Sequence, residues 1–137
     1  MQKNQIQIKV TTPSHEAFVS ITDQVVEIIP QLNIKDGFIH LFVLHTTCSL
    51  TINENADPDV TNDIQNRLRQ IIPWKIASDR HLEGNSAAHL KCSLIGSSLT
   101  IPIENSNLVL GTWQGIYLAE FDGSRTRKVH ITAIRSN

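Results

Sequence analysis

Ile6, Ile8 and Val10 alternate with Gln5, Gln7 and Lys9 near the start of the chain. A two-residue period puts the apolar set on one face, which predicts a half-buried strand. A short strand is expected at Ala17–Ile21, then a helix capped by Thr22 or Asp23 and carried by Val25, Val26, Ile28 and Ile29. Pro30 should kink or stop that helix, since proline has no N–H and crowds the preceding turn. Asp36-Gly37 marks a turn, and the run "FIHLFVLH" after it predicts a central strand covered on both faces. Cys48, Leu50 and Ile52 then alternate with Ser49, Thr51 and Asn53, a strand with one polar face.

Asp57-Pro58-Asp59 is a helix start, with an N-cap carboxylate, a proline at the first helical position and a second acid in the first turn. Val60, Ile64, Leu68 and Ile71 give that helix an apolar stripe, and Pro73 lies beyond its end. Asn85 should cap another helix that turns Ala87, Leu90 and Leu94 inward and ends at Gly96. Further strands are predicted at Leu99–Ile103, Leu108–Leu110, Ile116–Phe121 and Val129–Ile134, with Asp122-Gly123 as a hairpin turn. Seven to eight strands and two to three helices that do not alternate regularly predict an α+β fold with antiparallel or mixed sheets. The 137 residues make one compact domain, 1–137.

Charge and cysteine content narrow the class. A formal net charge of −1 gives no basic field for a nucleic acid. "MQKNQIQIKV" is too polar for a signal peptide, and "FIHLFVLH" is far short of the ~20 apolar residues of a membrane span. The expectation is a soluble cytoplasmic protein with neither a nucleic-acid nor a membrane partner. Cys48 and Cys92 sit in apolar segments without a CxxC spacing, as buried free thiols in a reducing compartment do. A catalytic cysteine paired with a histidine is the alternative.

Candidate chemistry gathers in three stretches. "HTTCSLTINENADPD" carries His45, Asn53, Glu54, Asn55 and Asp57 at a junction between strand and helix. Strand ends and helix starts bring side chains and N–H groups onto a ligand, although Asp57 is also explained as a cap. "DRHLEGNSAAH" carries His81, Asn85 and His89. With His45, these histidines offer three imidazoles for a zinc-like divalent metal, if the fold brings them together. The bland alternative is a solvated His81 and a His89 bonded to Asn85. "GTWQGIYLAEFDGSRTRK" offers Trp113 and Gln114 between glycines, and Glu120 on an otherwise apolar face. Glu120 is either an edge charge or a site acid with a raised pKa. Arg125 and Arg127 share strand parity and predict a two-pronged phosphate grip, with a charge-guarded edge strand as the alternative.

The stretches "HTTCSLTINENADPDVTNDI", "HLEGNSAAHLKCSLIGSSLTIPI" and "LVLGTWQGIYLAEFDGSRTRKV" resemble the YjbQ-type family, also called UPF0047, whose members are often labelled secondary thiamine-phosphate synthase. Ser106 departs from the glycine usual in that family. The resemblance implies a homotrimer with polar clusters near subunit boundaries, and Asp122 is among the residues that match the family's polar signature. The activity it implies is thiamine-phosphate synthase-like: joining a pyrimidine diphosphate to a thiazole phosphate with release of diphosphate. On this expectation Glu120, Glu54 and Asp57 are catalytic, with Glu120 paired to a pyrimidine nitrogen. Asn53, Asn85, Trp113, Gln114, Arg125 and Arg127 bind the phosphorylated heterocycle, and Trp113 stacks on it. His45, His81 and His89 hold the metal, or magnesium arrives with the diphosphate. The alternatives are a trimeric phosphometabolite-binding or regulatory protein without turnover, and a metal-dependent hydrolase.

Overall fold

The computed structural model describes residues 4–136. Two antiparallel sheets form its frame. The larger contains β1 (Gln5–Thr11), β3 (Gly37–Val43), β5 (Ser98–Glu104), β6 (Asn107–Leu108) and β8 (Thr126–Arg135), in the order β1-β8-β3-β5-β6. The smaller is β2 (Ala17–Ser20), β7 (Gln114–Glu120) and β4 (Cys48–Glu54), in that order. With three helices, this is the single α+β domain expected. No helix among the described residues is long and apolar enough to cross a membrane.

The inward-facing residues of both sheets make the core. Ile8, Val10, Ile39, Leu41, Ile101, Val129 and Ile131 of the larger sheet meet Leu50, Ile116 and Leu118 of the smaller one. Helix α1 (Thr22–Leu32) adds Val25, Ile28, Ile29 and Leu32. It runs through Pro30 rather than stopping before it. Only the last turn lies beyond the proline, and there Leu32 is fully buried, so packing outweighs the lost hydrogen bond. The N-cap of α1 is Ile21, without a side-chain cap, because the Thr22 hydroxyl instead accepts the Ile116 N–H at 2.9 Å.

Helices α2 (Pro58–Ile71) and α3 (Ser86–Ile95) cover the smaller sheet's other face, where Phe18, Ala88, Ala119, Phe121, Leu68 and Trp74 pack together. Asp57 caps α2 as expected, accepting the Asp59 N–H at 2.9 Å. Helix α3 is turned from its predicted face: Leu90 and Leu94 are exposed, and Ala87, Ala88, Lys91 and Cys92 are buried. The two alanines allow a close approach to the sheet. Lys91 tolerates burial because its Nζ donates to Glu16 Oε2 at 2.7 Å and lies over the Phe121 ring.

Two further expectations are corrected. Among the described residues β3 is covered on one face only, with Phe38 and Phe42 exposed on the other. Asp122-Gly123 is no hairpin turn, because β7 pairs with β2 and β4 whereas β8 pairs with β1 and β3. Residues 121–125 instead carry the chain from one sheet to the other. Gly123 serves close approach there: a Cβ would lie 2.5 Å from the Ser14 carbonyl oxygen. Between β5 and β6, Asn105 and Ser106 form a two-residue turn with φ of +50° and +64°. Type I′ turns require that geometry, which explains why glycine suits position 106.

Candidate functional site

The chain crosses between sheets at 44–47, from β3 to β4, and again at 121–125. These crossings lie side by side. The Leu44 N–H reaches the Lys128 carbonyl at 3.2 Å, and the Phe121 N–H reaches the Thr47 carbonyl at 3.2 Å. Together with the loop before α3, they bound a cavity of about 460 Å³, a size ordinary for small-molecule sites. His45, His81, Asn85, His89, Arg125 and Arg127 line it, with Thr46, Thr47 and Glu83. Six of the sequence-predicted site residues therefore share one cavity.

The remaining sequence-predicted residues divide. Glu54 pairs with Gln114 in the β4–β7 ladder, while Cys48 pairs with Glu120. At ~3.4 Å per residue, Asn53, Glu54 and Gln114 lie roughly 20 Å from the cavity end of that sheet. Asn53 Oδ1 accepts the neighbouring Glu54 N–H at 2.8 Å within β4, and Gln114 Oε1 accepts the Gly111 N–H at 2.7 Å, which holds the turn before β7. Asp57 is occupied as a cap, and Trp113 is exposed.

Glu120 and Arg127 meet between the sheets. Both are buried, and Arg127 Nε donates to Glu120 Oε1 at 2.8 Å, while its Nη2 donates to Glu120 Oε2 and to Thr47 Oγ1. Burial alone would raise the Glu120 pKa. The bonds from Arg127, the Asp122 N–H and the Thr12 hydroxyl outweigh it and hold the carboxyl below the usual range. Glu120 is thus neither an edge charge nor a raised-pKa acid. Arg127 turns inward to this partner, whereas Arg125 precedes the strand and is half exposed, so the two do not form a matched prong.

Arg125 donates through Nε to the Asp122 carbonyl at 2.8 Å and through Nη2 to Asp122 Oδ2 at 3.1 Å. His15 Nε2 lies 3.4 Å from the other carboxylate oxygen, and the His15 ring meets Trp74 edge-on at 4.5 Å. Asp122, which the resemblance placed in the polar signature without a role, therefore orients the cavity's exposed cation. Burial opposes its ionisation, but Asn85, Arg125 and His15 together hold its pKa below the ordinary value.

The histidines do not fit a three-imidazole metal centre within one chain. His45 Nε2 accepts the Lys128 N–H at 2.8 Å, which fixes a neutral ring protonated on Nδ1 and leaves no free lone pair for a metal. Burial and the charge of Arg127 also push its pKa down. His81 and His89 do meet, edge to face with centroids 5.5 Å apart. Among the described residues, no three His, Cys, Asp or Glu side chains are grouped to hold a metal ion. Nor is a cysteine nucleophile prepared: both thiols are free and buried, and desolvation pushes Cys48 up to about 12.

Comparison with known proteins gives these residues a family. The UPF0047 protein YjbQ-like family matches residues 6–136. The chain belongs to this family. The UPF0047 protein YugU of Bacillus subtilis is 44% identical over 124 residues, covering 90% of this chain and 94% of its own. A UPF0047 protein of Methanocaldococcus jannaschii is 47% identical over 128 residues, covering 92% and 91%. The crystal structure of an uncharacterized YjbQ/UPF0047 protein from Clostridium acetobutylicum superposes with a TM-score of 0.90 at 48% identity, over 94% of this chain and 99% of that one. A conserved hypothetical protein of Thermus thermophilus superposes with a TM-score of 0.88 at 45% identity, over 94% and 99%.

Proposed function

We propose that this UPF0047 protein is an enzyme of the thiamine-phosphate synthase type, acting on a phosphorylated heterocycle bound in the cavity between the sheet crossings. The observation that carries this reading is the cavity's lining: Arg125 and three imidazoles, with Glu83 as the one exposed carboxylate. Such a surface attracts phosphate oxygens. In the reaction, the C–O bond from the pyrimidine methylene to diphosphate breaks, with the electron pair leaving on diphosphate. The thiazole nitrogen then forms the new C–N bond. Arg125 and the imidazole N–H groups offset the leaving charge. Magnesium enters with the diphosphate, as part of the substrate.

Assembly as a homotrimer belongs to this reading. Phe38 and Phe42 on the outer face of the larger sheet, with Leu44 and Ile134, supply apolar surface for a partner copy.

One observation favours a second reading, a phosphometabolite-binding protein without turnover. Glu120 is locked to Arg127, and Glu54 and Asp57 belong to the distant end of the smaller sheet, so none of the three carboxylates expected to be catalytic stands free beside the cavity. Purified protein incubated with both phosphorylated precursors and magnesium decides between the two. Thiamine phosphate formed stoichiometrically with diphosphate supports the enzyme. Tight precursor binding without product supports the binding protein. Absence of both would sink the phosphate reading.

A further inference from the structure

Asn85 occupies the N-cap position of α3, where an asparagine normally accepts a first-turn N–H through its side chain. Here it makes no such bond. The Ala88 and His89 N–H groups go to its backbone oxygen. Its side chain is drawn to Asp122, with Nδ2 donating to Oδ2 at 2.9 Å. An ionised carboxylate accepts and never donates, so the amide nitrogen must face Asp122. Oδ1 is left over. It is closed to bulk solvent, and among the described residues it is the one buried side-chain polar atom without a partner. Buried polar atoms are nearly always satisfied, and the exceptions tend to mark function.

The position of Oδ1 constrains what would meet it. Asn85 lines the cavity. Its Nδ2 and Arg125 Nη2 bond the same Asp122 oxygen, at 2.9 and 3.1 Å, so the amide and the guanidinium stand side by side. A carbonyl oxygen repels an anion and accepts only from O–H or N–H. A phosphate seated on Arg125 therefore brings its neighbouring substituent to Asn85.

We infer that the ligand of this cavity carries an uncharged hydrogen-bond donor, a hydroxyl or amine, adjacent to its phosphate, and that Asn85 Oδ1 is the group that selects it. Asp122 acts as a positioning residue by fixing which end of the amide is presented. The inference rests on the phosphate reading of the cavity and adds a requirement to it.

Calorimetric titration of the full chain with phenyl phosphate, 2-hydroxyphenyl phosphate and 2-aminophenyl phosphate tests it. Both donor-bearing probes are expected to bind about tenfold more tightly than phenyl phosphate, the scale of a satisfied buried acceptor. Asn85→Leu is expected to erase that difference. Equal affinity of the parent for all three probes overturns the donor requirement while the phosphate reading stands. Failure of all three to bind overturns both. A preference that persists in folded Asn85→Leu removes Asn85 as its source. The parent comparison decides by itself if the variant does not fold.

Discussion

Arg127 and Glu120 form a buried ion pair that joins the two sheets, one partner from β8 of the larger and one from β7 of the smaller. Removing either partner strands the other charge where water cannot reach it. Glu120→Ala or Arg127→Met is expected to destabilise the protein by about 3–5 kcal/mol, and the double variant by clearly less than the sum of the two. Urea unfolding checks this. Single-variant losses under 1 kcal/mol would show that the pair is not isolated from solvent.

The same geometry sets a dependence on pH. Glu16, Glu120 and Asp122 all have folded pKa values below their ordinary ones. Above the unfolded values, near 3.9–4.3, both states are ionised and their contribution is fully present. As pH falls through that range, the unfolded chain takes up protons first and stability declines. The decline ends only when the folded carboxyls protonate at their lower pKa values. Between pH 5 and 3, Glu120→Gln should therefore lose less stability than the parent. Parallel declines in circular dichroism-monitored unfolding would refute the contribution of Glu120.

Arg125 and Arg127 should separate experimentally. Arg125→Ala is expected to weaken binding of a phosphate ester by about 1.5 kcal/mol, the low end for a hydrogen bond to a charged group, because the side chain is half exposed. Arg125→Lys should restore part of this. Thermal stability should change little. Unaltered calorimetric affinity in Arg125→Ala would remove Arg125 from the site.

Neither thiol should be reactive. Cys48 is held protonated by burial, and Cys92 Sγ donates to the Cys48 carbonyl at 3.1 Å. Iodoacetamide at pH 8 should label neither cysteine in the native protein and both in urea. Rapid native labelling, read by mass spectrometry, would contradict their enclosure.

Ser106 offers a gain. Its φ of +64° costs a side-chain-bearing residue roughly 1–2 kcal/mol, while glycine gives back part of that through its freer unfolded chain. Ser106→Gly should raise stability by about 0.5–1 kcal/mol in urea unfolding, and a destabilised variant would disprove strain at this turn.

Much of this was legible in the sequence, because local patterns governed it. Alternation located β1 and β4, and Asp57-Pro58 located the start of α2. What escaped depended on long-range partners. Leu90 and Leu94 are the more apolar choice for α3, yet the alanine face was buried because Lys91 finds Glu16, far away in the chain. Glu120 was placed on an apolar face correctly, but its partner lies in another sheet. The cavity residues were identified by type. The division between them and Asn53, Glu54, Asp57, Trp113 and Gln114 was not, since only strand direction sends those to the opposite end. Asp122-Gly123 was read as a hairpin turn, which the same dipeptide often supplies, and the family's polar signature included Asp122 without giving it a role; its hold on Asn85 and Arg125 lies outside that local pattern.

The strand order β1-β8-β3 has a consequence for biosynthesis. β8 is made long after the two strands that it separates, so the larger sheet has no continuous middle until synthesis has passed Arg135. Until then β1 and β3 each present an unsatisfied edge, and Phe38 and Phe42 add sticky surface beside one of them. Nascent chains stalled before β8 should therefore be prone to self-association and dependent on chaperone shelter. The cavity, which borrows Arg127 from β8, is completed only at the moment the sheet closes.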